Sequence, residues 1–264
     1  MKIELSEVKK LIAHHKKEFT ELGKIILPII EKYNLLDKEI LEVCQIGKFV
    51  YKINSEIKIL EKPNPPDPDF IIEYNSKIIG LEHTRIFTDD VAIYNKINSL
   101  IKYSEKLFAS KFPNEKIFAQ ISIVDDKLEY KGTEKRRFAN EIVEYIYNLS
   151  KGNSEDKPTF IAKVKLSAHS QISFSYNEKN WQGPNLSQSR LETEIRKKEK
   201  KIKNYKLGNK QVSEYWLVLF IGSLSSISYQ FDENENYETK TEFDKVYLMT
   251  DFDAEIVKVN KDYC

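Results

Sequence analysis

Two acidic residues, Asp69 and Glu82, stand where a short hairpin would set them face to face. The chain reads Pro68-Asp69-Phe70-Ile71-Ile72-Glu73-Tyr74, then Asn75-Ser76, then a second apolar run through Glu82-His83-Thr84. A two-residue turn at Asn75-Ser76 pairs Tyr74 with Lys77, Ile72 with Ile79 and Asp69 with Glu82. Strand alternation puts Asp69, Ile71 and Glu73 on one face, together with Gly80, Glu82 and Thr84. Phe70, Ile72, Tyr74, Ile79 and Leu81 take the other face, which suits a core. Directly opposed residues hold their Cβ atoms roughly 5 Å apart, and like charges at that distance repel. A hard divalent cation reverses the sign of that interaction. Mg²⁺ accepts one or two carboxylates and completes its shell with water and substrate phosphate oxygens. Gly80 carries no side chain, so a bulky group can approach the strand there. The plainer alternative is that Asp69 caps the turn after the prolines and Glu82 is a solvated strand residue.

A cation is the other requirement, and the segment Arg190 to Lys206 offers several. Between 196 and 206 it holds seven Lys or Arg against one acid, Glu199. Leu191, Ile195, Ile202 and Tyr205 mark one helical face. Lys198 falls on that inward stripe, three residues after Ile195 and four before Ile202. A lysine there is costly unless an anion meets it, or unless its ammonium snorkels past the edge of the sheet. Lys197, Lys200 and Lys201 are expected to be solvated or to contact phosphate, in the salt-sensitive way of lysine.

These residues need a scaffold, and the hydrophobic pattern supplies one. Helices are expected at 5–33, kinked or split by Pro28, and at 91–111, 136–150 and 188–206, the last capped by Ser187 and ended by Gly208. Strands are expected at 69–74, 77–86, 116–124, 158–176 (one long or two), 214–222 and as a pair near 244–259. A weaker strand signal, Phe49-Val50-Tyr51 and Ile53, lies within 40–60. Four prolines between 63 and 68 make a stiff lead-in to Asp69. The fold class is therefore α/β, a central mixed sheet flanked by helices. One domain over 1–264 is expected, with an N-terminal helical region at 1–60 and a catalytic core with insertions at 61–264.

The chain has 264 residues and a net charge of +1, far below that of a nonspecific nucleic-acid coat protein but compatible with a local basic cleft. Two cysteines, Cys44 and Cys264, form no disulfide framework or zinc cluster. With no apolar leader after Met1 and no long apolar run, a cytoplasmic protein without a membrane partner is expected. His14-His15 has no identifiable partner. Trp181, Asn185 and Tyr176 lie in a polar aromatic loop that could touch bases, although ordinary loop packing accounts for them better.

Pro68-Asp69, twelve intervening residues, then Glu82-His83-Thr84 resembles the PD-(D/E)XK nuclease superfamily. The resemblance implies a restriction-endonuclease-like core, Mg²⁺ (or Mn²⁺) as cofactor and hydrolysis of phosphodiester bonds. Asp69 and Glu82 match the two acidic positions and would hold the metal with the backbone carbonyl of His83. Thr84 stands where the family has lysine and could hydrogen-bond a water, but brings no charge. Lys198 is the candidate replacement, as in members that carry the lysine on a neighbouring helix; the pattern Ile195-x-x-Lys198-x-x-Lys201-x-x-x-Tyr205 before Trp216-Leu217 fits such a helix–strand unit. A competing completion uses the helix at 91–111 and the strand at 116–124, with Gln120 facing the site. Lys197 and Lys201 would contact nucleic acid, and His83 is expected to be structural. The implied function is a Mg²⁺-dependent endonuclease acting on double-stranded DNA, restriction-like or used in phage defence, with a homodimer as one way to cut both strands. The alternatives are a decayed nuclease fold acting as a nucleic-acid-binding or regulatory module, and a protein-interaction role.

Overall fold

A computed structural model describes residues 5–153, 156–179, 182–208, 211–222, 225–232 and 235–261. In chain order the elements are α1 (Leu5–Lys32), α2 (Asp37–Ile53), β1 (Lys58–Glu61), β2 (Phe70–Tyr74), β3 (Lys77–Arg85), α3 (Val91–Lys111), β4 (Ile117–Ile123), α4 (Lys135–Ser150), β5 (Ile161–Ala168), β6 (Ser173–Tyr176), α5 (Gln188–Leu207), β7 (Glu214–Ile221), β8 (Glu238–Thr239), β9 (Lys245–Thr250) and β10 (Ile256–Lys261). The protein is α/β, with a mixed central sheet flanked by helices.

Two compact units share the chain where its length suggested one domain. The first comprises Met1–Ile86, Asn185–Ser223 and Tyr229–Cys264; the second, Phe87–Pro184 with Leu224–Ser228, is inserted into it. Each has its own sheet; the first has an apolar cluster on each sheet face, and the second has one of its own. The first unit carries strands in the order β1-β2-β3-β7-β9-β10-β8, and the second carries β5-β4-β6.

In the first unit, β2 and β3 form an antiparallel hairpin, while β3, β7 and β9 run parallel. Parallel centre strands are buried on both faces, which is why β7, Glu214-Tyr-Trp-Leu-Val-Leu-Phe-Ile221, is almost wholly apolar. One sheet face packs Phe70, Ile72, Leu81, Trp216 and Val218 against α1 and α2. The opposite face packs Tyr215, Leu217 and Leu219 against Leu191, Ile195 and Ile202 of α5. The side group of Ser187 accepts from the Arg190 amide and starts α5 as an N-cap.

Within 40–60 the strand signal of Phe49, Val50, Tyr51 and Ile53 is overturned, because 40–53 lie in α2, and a strand, β1, forms only at the end of that range. Val43, Ile46, Phe49 and Val50 recur at helical spacing and are all buried. That periodicity, satisfied by the sheet beneath it, outweighs the local β preference of Phe-Val-Tyr. Pro28 lies inside α1 without splitting it. The 158–176 region resolves into two strands, β5 and β6. In the second unit Ile97, Ile101 and Phe108 of α3 and Ala139, Ile142 and Ile146 of α4 close over Ala119, Ile121 and Ile123 of β4. Among the described residues no helix is long and apolar enough to cross a membrane.

Candidate active site

The hairpin register sets the acidic residues. Tyr74 pairs with Lys77, Ile72 with Ile79 and Phe70 with Leu81, so the next step outward aligns Asp69 with Glu82. Asn75 and Ser76 adopt φ of 50° and 59°, the left-handed pair that a two-residue type I′ turn requires. The turn thus permits no slip, and a one-residue slip would have moved Glu82 to the other face. Gly80 has a definite job. A Cβ built there would stand 2.8 Å from Cγ of Pro68 and 3.1 Å from Cδ1 of Tyr215. The group that approaches Gly80 is the Pro68 ring, and its seating against β3 holds Asp69 in place.

Asp69 immediately precedes β2, and its Oδ2 accepts the His83 amide at 2.9 Å. Glu82 is 1% exposed. Its Oε1 accepts the ammonium groups of Lys198 at 2.7 Å and Lys201 at 2.6 Å, and its Oε2 accepts the Tyr205 hydroxyl at 2.5 Å. Lys198 Nζ also donates to the carbonyl of His83 at 3.1 Å. Lys198, Lys201 and Tyr205 are spaced three and four apart, so one face of α5 delivers all three. Tyr205, expected only as a core position, proves bifunctional: its ring stacks on Tyr215 and its hydroxyl serves Glu82. The signal was its place on the same stripe as Lys198.

The two carboxyls are pushed in opposite directions. Burial raises the pKa of Asp69, the charge of Glu82 raises it further, and the His83 amide and the lysines only partly offset this. Burial also acts to raise Glu82, but Lys198, Lys201 and Tyr205 together outweigh it and hold that carboxyl below its ordinary value. Lys201 is raised because Glu82 and Asp69 overcome its own desolvation. The Tyr205 phenol is raised by burial and by Glu82.

His83 points to the opposite side of the sheet. Its Nε2 meets Oε1 of Gln45 on α2 at 2.8 Å, and its ring packs on Phe220. Burial first, then nearby positive charge led by Lys198, lowers its pKa to about 3, so the ring is neutral. Gln45, which the sequence did not single out, is buried, and its Nε2 has no partner among the described residues.

The remaining expectations divide. Thr84 is half-buried in β3, two positions beyond Glu82 on the same strand face. Lys197 turns outward and pairs with Glu194 at 2.8 Å, 57% exposed. Lys201 is drawn to Glu82 because the helical repeat places it one turn from Lys198. Gln120 lies on β4 of the second unit and belongs to a sheet other than that of Asp69 and Glu82. Asn185 bonds Asp232 within the first unit, and Tyr176 bonds Asp126 within the second; Trp181 and Cys264 lie outside the described residues. His15 pairs with Glu18 at 3.5 Å.

Among the described residues no cluster of three or more His, Cys, Asp or Glu side chains suits a metal. A divalent ion at this site would draw on two carboxylates and one main-chain carbonyl: Asp69, Glu82 and His83. That all-oxygen set fits a hard cation such as Mg²⁺. Of these oxygens, Glu82 Oε1 and the His83 carbonyl now accept ammonium groups, while Asp69 Oδ2 accepts the His83 amide. Lys201, 46% exposed against 20% for Lys198, is the cation whose place beside Glu82 a divalent ion would take. No family model matches the chain, and no curated protein or solved structure matches it either.

Proposed function

We propose that this protein is a metal-dependent phosphodiesterase, an endonuclease of the PD-(D/E)XK type acting on DNA, with Lys198 in the role of the motif lysine that Thr84 replaces. The supporting observation is the meeting of Glu82, the His83 carbonyl and Lys198 Nζ within 3.1 Å, beside Asp69. When bound, a divalent ion supplies Lewis acidity, making water a better nucleophile near neutral pH and offsetting charge on the phosphate.

The chain's own residues do the rest. Asp69 and Glu82 present the anionic oxygens. The His83 amide orients Asp69, and Tyr205 fixes one oxygen of Glu82. Lys198 holds a positive charge against the site, where it can orient water or stabilise the extra charge of a five-coordinate phosphorus. Lys201, with a path to solvent, is free to move onto a substrate phosphate.

The test is cleavage of plasmid and linear DNA with Mg²⁺ or Mn²⁺, with and without chelator. Lys198→Ala is expected to keep the fold, since Lys201 and Tyr205 still satisfy Glu82, and to lose on the order of 10² in rate. A pure protein that cuts neither double-stranded DNA, single strands nor RNA would refute this reading.

One observation favours a non-catalytic alternative. Both Glu82 oxygens are already occupied, giving a closed ion cluster that stabilises without metal. On that reading the protein is a nucleic-acid-binding module on a decayed nuclease fold, and Mn²⁺ titration would detect no ion that depends on Glu82.

A further inference from the structure

The second unit carries a groove whose chemistry the hairpin site does not use. It is a concavity of about 440 Å³ between α3 and the start of α4. Asn95, Asn98, Ser99, Lys102 and Lys106 line it from α3, and Lys135 closes it from α4. The α3 residues recur at three- and four-residue intervals and so form one stripe along the helix. Among the described residues no carboxylate lines the groove. The one acid within this stretch of α3, Glu105, is turned to the Phe174 amide, which donates to it at 2.7 Å. Lys135 donates to Ser99 Oγ at 2.7 Å and lies 5.4 Å from the centre of the Tyr103 ring. Lys102 and Lys106 are both exposed.

Lysines elsewhere on this protein are commonly matched to acids: Lys77 to Glu214, Lys151 to Glu115, Lys197 to Glu194. Three lysines gathered around a concave surface without an acid repel one another and favour an anion. The shape says which anion. From Asn95 to Lys106 the stripe rises eleven residues, about 16 Å at 1.5 Å each. Successive phosphates along a strand lie farther apart than the roughly 3.4 Å axial rise of a duplex, so the stripe is long enough to meet several phosphates in a row. A single phosphate would leave most of it unused. The asparagine amides and the Ser99 hydroxyl add neutral donors of the kind that contact phosphate and sugar.

We propose that this groove binds the phosphate backbone of a nucleic-acid strand, with Lys102, Lys106 and Lys135 as its charged contacts. The binding is indifferent to base sequence, because lysine reads charge and not base edges. The inference deepens the nuclease reading by giving the substrate a second, non-catalytic hold, and rests on that reading only for calling the strand a substrate.

The experiment is fluorescence-anisotropy titration of a labelled oligonucleotide, single- and double-stranded, with the full chain in chelator, so that no cleavage intrudes. It compares the unmodified protein with Lys102→Glu/Lys106→Glu and with the milder Lys102→Gln/Lys106→Gln, across a salt series. The expected result is affinity reduced about tenfold or more in the charge-reversed protein. The plot of log affinity against log salt should be shallower by about two in the glutamine variant, one for each phosphate no longer neutralised. Both positions are exposed, so unchanged circular dichroism is expected to accompany the weaker binding. Equal affinity and equal salt slope in all three proteins overturns the proposal, as does absence of binding by the unmodified protein. Competition by inorganic phosphate or tripolyphosphate as effective as by the strand also overturns it, since the site would then take a free anion. Cleavage with Mg²⁺ is measured separately. Binding that depends on these lysines without cleavage sinks the nuclease reading and leaves the groove standing; cleavage with binding indifferent to them does the reverse.

Discussion

Glu82 sets the energetics of the candidate site because it is buried and triply hydrogen-bonded. Glu82→Ala strips Lys198 of its counter-charge, and up to about 3 kcal/mol of stability should go with it, moderated by the exposure of Lys201; denaturant unfolding measures this. Glu82→Gln keeps the volume and one acceptor, and should remain folded while losing divalent-ion binding in a calorimetric titration. Lys201→Ala separates the two readings of the site. If a divalent ion competes with this ammonium, the variant binds Mn²⁺ more tightly than the parent, whereas a closed structural cluster gains nothing. On the metal-dependent reading, the raised Asp69 carboxyl would set the acid limit of ion binding. As pH falls it takes up a proton before Glu82 does, so divalent affinity should fade with a midpoint above the ordinary aspartate value, and Asp69→Asn should abolish that titration. His83 makes a separate contribution. It is neutral in the fold down to about pH 3 but charges near 6.5 when unfolded. The unfolded chain therefore binds more protons between those values, and stability falls as pH drops from 6.5 toward 3. A His83→Gln variant should show a flatter dependence of melting temperature on pH in that window.

At the scale of elements, the hairpin and α5 decide whether those residues meet. The hairpin turn places two non-glycine residues at positive φ, each costing roughly 1 kcal/mol. Ser76→Gly is expected to relieve about that much and to raise the melting temperature without touching the site. Gly80→Ala should do the opposite. Its methyl would collide with the Pro68 ring at 2.8 Å, costing about 1–3 kcal/mol and shifting Asp69. The specific signature would be weakened divalent binding as well as lower stability, measured on the same preparation. On α5, Lys198, Lys201 and Tyr205 act as one face, so a single inserted residue between 202 and 205 would rotate Tyr205 away while leaving both lysines in place.

Taken whole, the molecule divides its apolar material between two units. The first unit's sheet has a cluster on each face and the second unit has its own. Phe108, fully buried in the second unit, is therefore expected to cost about 3–5 kcal/mol on truncation to alanine, with no change in whatever divalent-ion affinity Asp69 and Glu82 provide. Net charge is only +1, so any affinity for nucleic acid has to arise from local surfaces such as the α3 groove, and should decay steeply with salt.

Much of this was legible in the chain itself. The α/β class, most helices and strands, the hairpin register and the demand of Lys198 for an anion all follow from short-range pattern: alternation, helical repeat, turn chemistry and the cost of burying a lone charge. What tertiary structure alone decided involves surfaces supplied from far along the chain. Phe49-Val50-Tyr51 is helical because a sheet receives one side of it, Tyr205 is a hydrogen-bond donor because Glu82 lies beneath it, and Gln45 matters because His83 emerges on its side of the sheet. The insertion of a second core was hidden for the same reason. Periodicity states that a face must be covered, but not which distant segment will cover it.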